Sequence, residues 1–162
     1  MKGKNLYILI AVCAVAVLGM ILALTLGGRQ QQPQRPNFTP PPFDASAEAG
    51  TPEVPDGMGY SEFDAKLFKA SVCGEVKVVD GSADIYLTNP ESNYAWLKVR
   101  VLDENGNILG ETGLIKPGEY VKSVAFNTVP EKGAKIVLKI MAYEPNTYHS
   151  AGSASLNTVM GG

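Results

Sequence analysis

Tyr94-Ala95-Trp96-Leu97-Lys98-Val99-Arg100-Val101-Leu102-Asp103 alternates apolar and polar side chains and runs straight into Glu104-Asn105-Gly106-Asn107. Ala95, Leu97, Val99 and Val101 share one side of an extended chain while Lys98 and Arg100 share the other. That period of two is the mark of a strand with one buried face. The Asn-Gly dipeptide behind it suits a tight turn needing positive φ, with Ile108–Thr112 as the returning strand.

The same pattern extends in both directions. Ala83, Ile85 and Leu87 face one way and Asp84, Tyr86 and Thr88 the other, and Asp80-Gly81 joins this strand to Glu75–Val79. Downstream, Ile136, Leu138, Ile140 and Ala142 oppose Lys135 and Lys139. Asn89-Pro90, Lys116-Pro117-Gly118, Val129-Pro130 and Glu144-Pro145-Asn146 break the chain between further strands at Tyr120–Phe126 and Ala151–Val159. Val121, Val124 and Phe126 do not alternate, which predicts a bulge near Lys122-Ser123. Ser61–Ser71 reads two ways: Phe63, Leu67 and Phe68 form either a helical stripe or part of a first edge strand. With roughly seven or eight short strands, the expected fold is all-β, an antiparallel β-sandwich of immunoglobulin-like or jelly-roll-like type over residues 57–162.

The N-terminal part has a different composition. Residues 6–26 carry no charge, and as a helix rising about 1.5 Å per residue they would cover roughly 31 Å, close to the thickness of a bilayer core. We therefore expect one transmembrane helix at 6–26, preceded by a cytoplasmic stub at 1–5. The run is longer than the apolar region of a cleavable signal peptide, and Thr25-Leu26-Gly27-Gly28 makes a poor cleavage site. Lipidation at Cys13 would want a small residue where Val12 stands. Lys2 and Lys4 before the span favour a cytoplasmic N-terminus and an extracytoplasmic C-terminal domain at the plasma membrane. Gly19, Ala23 and Gly27 lie on one helical face and leave room for a second helix, so an oligomer fits the span. Residues 27–56, rich in proline and glutamine, read as a disordered linker in which Phe38 and Phe43 are candidates for contact with the domain or the membrane interface.

Chemistry leaves few marks. A net charge of −2 without a basic stripe argues against nucleic acid as a partner. The two cysteines, Cys13 and Cys73, fall on opposite sides of the expected lipid boundary, so Cys73 is read as a buried free thiol. His149 is the one histidine and sits in a polar loop, which leaves neither a hydrolase triad nor a zinc site; no cofactor and no metal ligand set is expected. Asp103-Glu104-Asn105-Gly106-Asn107 begins like a calcium loop, but Ile108 and Leu114 stand where glycine and glutamate belong. The protein is therefore read as a non-enzyme. Tyr86, Tyr94, Trp96, Tyr143 and Tyr148 fall at outward or loop positions, and their apolar bodies with polar tips make them the candidate partner or glycan contacts.

Taken together, Asn89-Pro90, Glu111-Thr112-Gly113-Leu114-Ile115-Lys116-Pro117-Gly118-Glu119-Tyr120-Val121, Met141-Ala142-Tyr143-Glu144-Pro145 and Leu156-Asn157-Thr158 resemble a group of small, single-span, β-rich envelope proteins of Gram-positive, clostridia-like bacteria. The resemblance implies a bacterial cell-envelope setting and transfers no active-site residue. The expected function is a membrane-anchored extracytoplasmic interaction or assembly module. It would hold the lipid bilayer through 6–26 and contact an envelope protein; a carbohydrate-binding module for cell-wall glycan is the alternative.

Overall fold

The computed structural model describes Gly3 and residues 39–161. The expected stub, the expected membrane helix at 6–26 and the linker as far as residue 38 lie outside the described residues.

Alternation builds the strands as expected. In β5 (Ser82–Asn89), β6 (Trp96–Leu102) and β9 (Lys135–Tyr143), the apolar sets Ala83/Ile85/Leu87, Leu97/Val99/Val101 and Ile136/Leu138/Ile140/Ala142 are buried throughout, as is Ala95 just before β6. They meet in one core together with Phe68, Val72, Ile115, Val121 and Val124. Burying a Leu, Ile or Val side chain is worth about 1.5–3 kcal/mol, so this shared face is the main force holding the layers together.

Two antiparallel sheets result. One runs β1 (Glu48–Ala49), β8 (Glu119–Ala125), β5, β3 (Phe68–Cys73), β2 (Tyr60–Ala65), with β4 (Lys77–Val79) also beside β5. The other runs β10 (Ser150–Val159), β9, β6, β7 (Ile108–Glu111). Hairpins β2–β3, β4–β5, β6–β7 and β9–β10 stay within a sheet, as does the β3–β4 connection, whereas the chain crosses between sheets at β5–β6, β7–β8 and β8–β9.

Four details differ from the sequence expectation. Ser61–Ser71 is not a helix: its first part is the edge strand β2, as one of the two readings has it, but the stretch then turns back into β3, with Ala65 paired to Phe68 and Leu67 left 67% exposed at the turn. The bulge lies opposite Lys122, but its extra residue is on β5: Asp84 faces Ser123 and Leu87 faces Val121, so Ile85 and Tyr86 share one partner and Tyr86 takes φ 49°. Asp80 and Gly81, at φ 49° and 77°, do form the expected two-residue turn. Around Asn105-Gly106 the loop is wider, because the Asp103 carboxylate accepts the Asn105 and Asn107 N–H groups and only Gly106 takes positive φ there. Those bonds, the Asn107 side-chain amide first, hold Asp103 below the usual carboxylate range.

The fourth difference concerns residues 43–49. Phe43 bridges Leu114 in parallel, Glu48 and Ala49 pair with Tyr120 and Glu119, and Pro52 is buried. Residues 43–49 of the expected linker thus belong to the sandwich: Asp44, Phe43 and Glu48 supply contacts that outweigh the stiffness and polarity of the surrounding sequence. On the opposite side, Val76 bridges Met160 and the Gly161 N–H donates to the Val76 carbonyl at 2.8 Å. Cys73 is a free, fully buried thiol, pushed up to about 11 by burial and then by the Asp84 charge.

Candidate functional site

Trp96 opens β6 on the outer face of its sheet, directly opposite Tyr143 of β9. The β9–β10 loop then returns a second tyrosine to it. The Tyr148 N–H donates to the Glu144 carbonyl at 3.0 Å, the Glu144 N–H donates to the His149 carbonyl at 2.8 Å, and Asn146 and Tyr148 take φ 67° and 57°. Such left-handed non-glycine residues persist only where surrounding contacts fix them. Here the contact is aromatic, with the Tyr148 ring 5.3 Å from Trp96 at 59°.

A third ring arrives from the segment just before β1. Phe43 meets Trp96 edge-on, at 4.9 Å and 76°, and the Lys116 ammonium lies 4.6 Å from the Phe43 ring. Pairs of this geometry are worth about 0.5–1.5 kcal/mol beyond their buried area. Phe43 is one of the two linker aromatics expected to contact the domain or the membrane interface, and it contacts the domain at Trp96.

The remaining candidates divide. Tyr94, on the loop just before β6, is 76% exposed and presents its ring to solvent. Tyr86 does not belong to this face. It lies on the other sheet, 5% exposed, packed with Met58 and Cys73 under Val54 and Tyr60, so the expectation of an outward contact residue is corrected. The extra residue in β5 and the cover supplied by residues 54–60 are the reasons. Its ring reaches only the wall of a cleft of about 400 Å³ shared with Glu48, Glu53, Tyr120 and Lys122.

The loop that presents Tyr94 is pinned from below. Asn89, fully buried, donates its amide to the carbonyls of Ala95 and Ile115 at 3.0 and 2.9 Å and accepts from Asn93 at 2.7 Å. Asn93 in turn spans both backbone groups of Lys69. Nothing in the residue pattern distinguishes Asn89 from an ordinary turn asparagine before proline, so its role was not legible.

Beside Trp96 on the same face, Glu111 receives Lys98 at 2.9 Å and Arg100 at 2.8 Å. Burial pushes the Glu111 carboxyl up, but the two hydrogen bonds and cationic charges outweigh it and hold it below its ordinary range. Lys98 points outward as expected, yet it is buried under this pair. His149 is exposed, 4.0 Å from Glu144. Among the described residues no group of three or more His, Cys, Asp or Glu side chains is gathered as a ligand set. An apolar slot of about 200 Å³ lies elsewhere, between β2–β3 and β10, lined by Phe63, Val72, Ile140 and Leu156.

No family model matches this chain, and neither the curated proteins nor the solved structures provide a significant match.

Proposed function

We propose that this chain is a non-catalytic, single-pass protein of a bacterial cell envelope. Residues 6–26 hold it in the plasma membrane with the N-terminus cytoplasmic, and its extracytoplasmic sandwich serves as an interaction or assembly module. The hairpins β6–β7 and β9–β10 in one sheet, with crossings at β5–β6, β7–β8 and β8–β9, support an immunoglobulin-like rather than a jelly-roll arrangement. The observation that carries the reading is the cluster of Phe43, Trp96 and Tyr148, with Tyr143 paired across from Trp96 and Tyr94 exposed beside it.

The glycan alternative fits this surface less well. Sugar rings stack on aromatic faces left flat and open, whereas Phe43 and Tyr148 are tilted against Trp96 at 76° and 59° and occupy part of its surface. A protein partner, which needs a half-buried aromatic anchor with a polar rim, suits it better.

The test is crosslinking and co-purification of the full chain from its native envelope, comparing the natural protein with Trp96→Ala and Tyr94→Ala. A specific protein partner lost in both variants is the expected result. Saturable binding to purified cell-wall glycan, lost in the same variants, would replace this reading with the alternative. Protease treatment of intact cells checks the orientation, since a protected domain would reverse it.

A further inference from the structure

Gly113 is the floor of a groove built for a backbone. A Cβ placed there would stand 2.5 Å from the Asp44 nitrogen, 2.6 Å from Asp44 Cα and 2.7 Å from the Phe43 carbonyl carbon. Its φ is ordinary, so glycine is required by this close approach and not by backbone conformation. Above it the chain is paired as in a parallel ladder: the Asp44 N–H donates to the Leu114 carbonyl at 2.9 Å, and the Leu114 N–H donates to the Pro42 carbonyl at 2.9 Å. The Asp44 side chain adds a second hold, accepting the Gly113 N–H at 2.7 Å with one oxygen and the Ser46 N–H and hydroxyl at 2.9 and 2.6 Å with the other. Phe43 sets its ring edge-on to Trp96 with the Lys116 ammonium over it, and stays 42% exposed.

The occupant is short and separately bounded. Pro40, Pro41 and Pro42 have no N–H to donate, so the pairing cannot extend upstream. Downstream, Ala45 and Ser46 turn before the chain re-enters the other sheet at Glu48. The groove and its occupant are thus two complementary parts on every copy of the chain, joined through a turn that can act as a hinge. Exchange of such an element between copies reproduces every contact in trans.

We infer that the groove along Gly113–Leu114 is a strand-acceptor site whose partner in trans is the Pro42-Phe43-Asp44 segment of a second copy of this chain. The inference rests on reading the Trp96 face as an interaction surface and names one occupant for it. Anchoring copies in one membrane raises their effective concentration and favours the exchange.

The test is complementation between two full-length variants in detergent. Gly113→Leu fills the groove and leaves the segment free; deletion of residues 40–44 removes the segment together with its backbone pairing and leaves the groove open. Trp96 is the only tryptophan, so its emission reports groove occupancy directly. The open-groove variant should emit to the red of the natural protein, and adding the filled-groove variant should restore the blue emission. Sedimentation should show a one-to-one complex at least tenfold more populated than any self-association of either variant. A synthetic peptide of residues 39–47 should restore the same emission and compete the complex apart. Both variants keeping their far-UV β spectrum while the mixture sediments as the sum of its parts would overturn the inference. Should Gly113→Leu lose that spectrum, the peptide arm on the open-groove variant decides alone, and absence of an emission shift overturns it. The envelope co-purification above does not depend on this exchange, so the two readings fail separately.

Discussion

Replacing Asn89 with leucine removes three hydrogen bonds while keeping nearly the same volume in a fully buried position. The two acceptors fare differently. The Ile115 carbonyl keeps the Leu97 N–H at 2.9 Å, whereas the Ala95 carbonyl loses the Asn89 amide as its donor. Leaving one buried carbonyl unpaired costs about 1–3 kcal/mol, and a lost bond to a shared acceptor about 1 kcal/mol more. The detached Asn93 amide, still held by Lys69, finds water and adds little. The sum is about 3 kcal/mol, a large share of the roughly 5–15 kcal/mol by which a domain of this size is stable. In urea the midpoint should fall without a change in slope, and the melting temperature should drop by on the order of 10 °C. Because Asn89 positions the loop before β6, Trp96 emission should also shift before global unfolding begins. A loss below about 1 kcal/mol, or an unmoved Trp96 signal, would show that the loop is held by packing and not by this amide.

Three further outcomes follow from the packing and charges. Burial raises the Cys73 thiol from 9.0 to about 11, so the unfolded chain loses that proton first; stability should decline as pH rises from about 9 to 11, by about 2 kcal/mol, and this slope should vanish in Cys73→Ala melts. Glu111→Gln leaves Lys98 buried beside a neutral partner and should cost about 1–2 kcal/mol at pH 7 after allowance for the carboxylate's partial exposure. Since Glu111 titrates lower in the folded state, the natural protein should lose this contribution as pH falls through the carboxylate range, and denaturant titrations of the Gln variant should lack it. Gly110→Ala drives a Cβ into the Ala125 carbonyl oxygen across the β7–β8 edge and should destabilise by about 1–3 kcal/mol in thermal melts, with Ser at Ala125 unable to rescue it because the clash is with backbone.

Strand periodicity was legible because each of β5, β6 and β9 buries one face, and a one-residue slip would have placed Lys135 or Lys139 in the core. What escaped was set by contacts distant in sequence. Composition marked residues 43–49 as linker, yet the Gly113 N–H and the Leu114 backbone, about seventy positions away, and Trp96, about fifty away, recruit them across distances no local pattern carries. Tyr86 was assigned outward from strict alternation, which the β5 bulge breaks. Trp96, Tyr143 and Tyr148 were legible as aromatics at exposed register positions, but their convergence depends on two left-handed residues in the 144–149 loop. Asn146 suits that conformation, but nothing about Tyr148 announces it in advance.

The bridge from Val76 to Met160 has a meaning for solubility. Ser150–Val159 is a ten-residue outer strand without a single charged or proline residue, lacking the usual chemical deterrents against edge-to-edge growth. Its protection comes instead from a terminal stitch: buried Met160, the Gly161 N–H on Val76, and the Thr158 hydroxyl on the Gly74 carbonyl. Trimming the chain before Thr158 would remove that stitch and unsheathe the outer edge of this strand as a template for fibril growth.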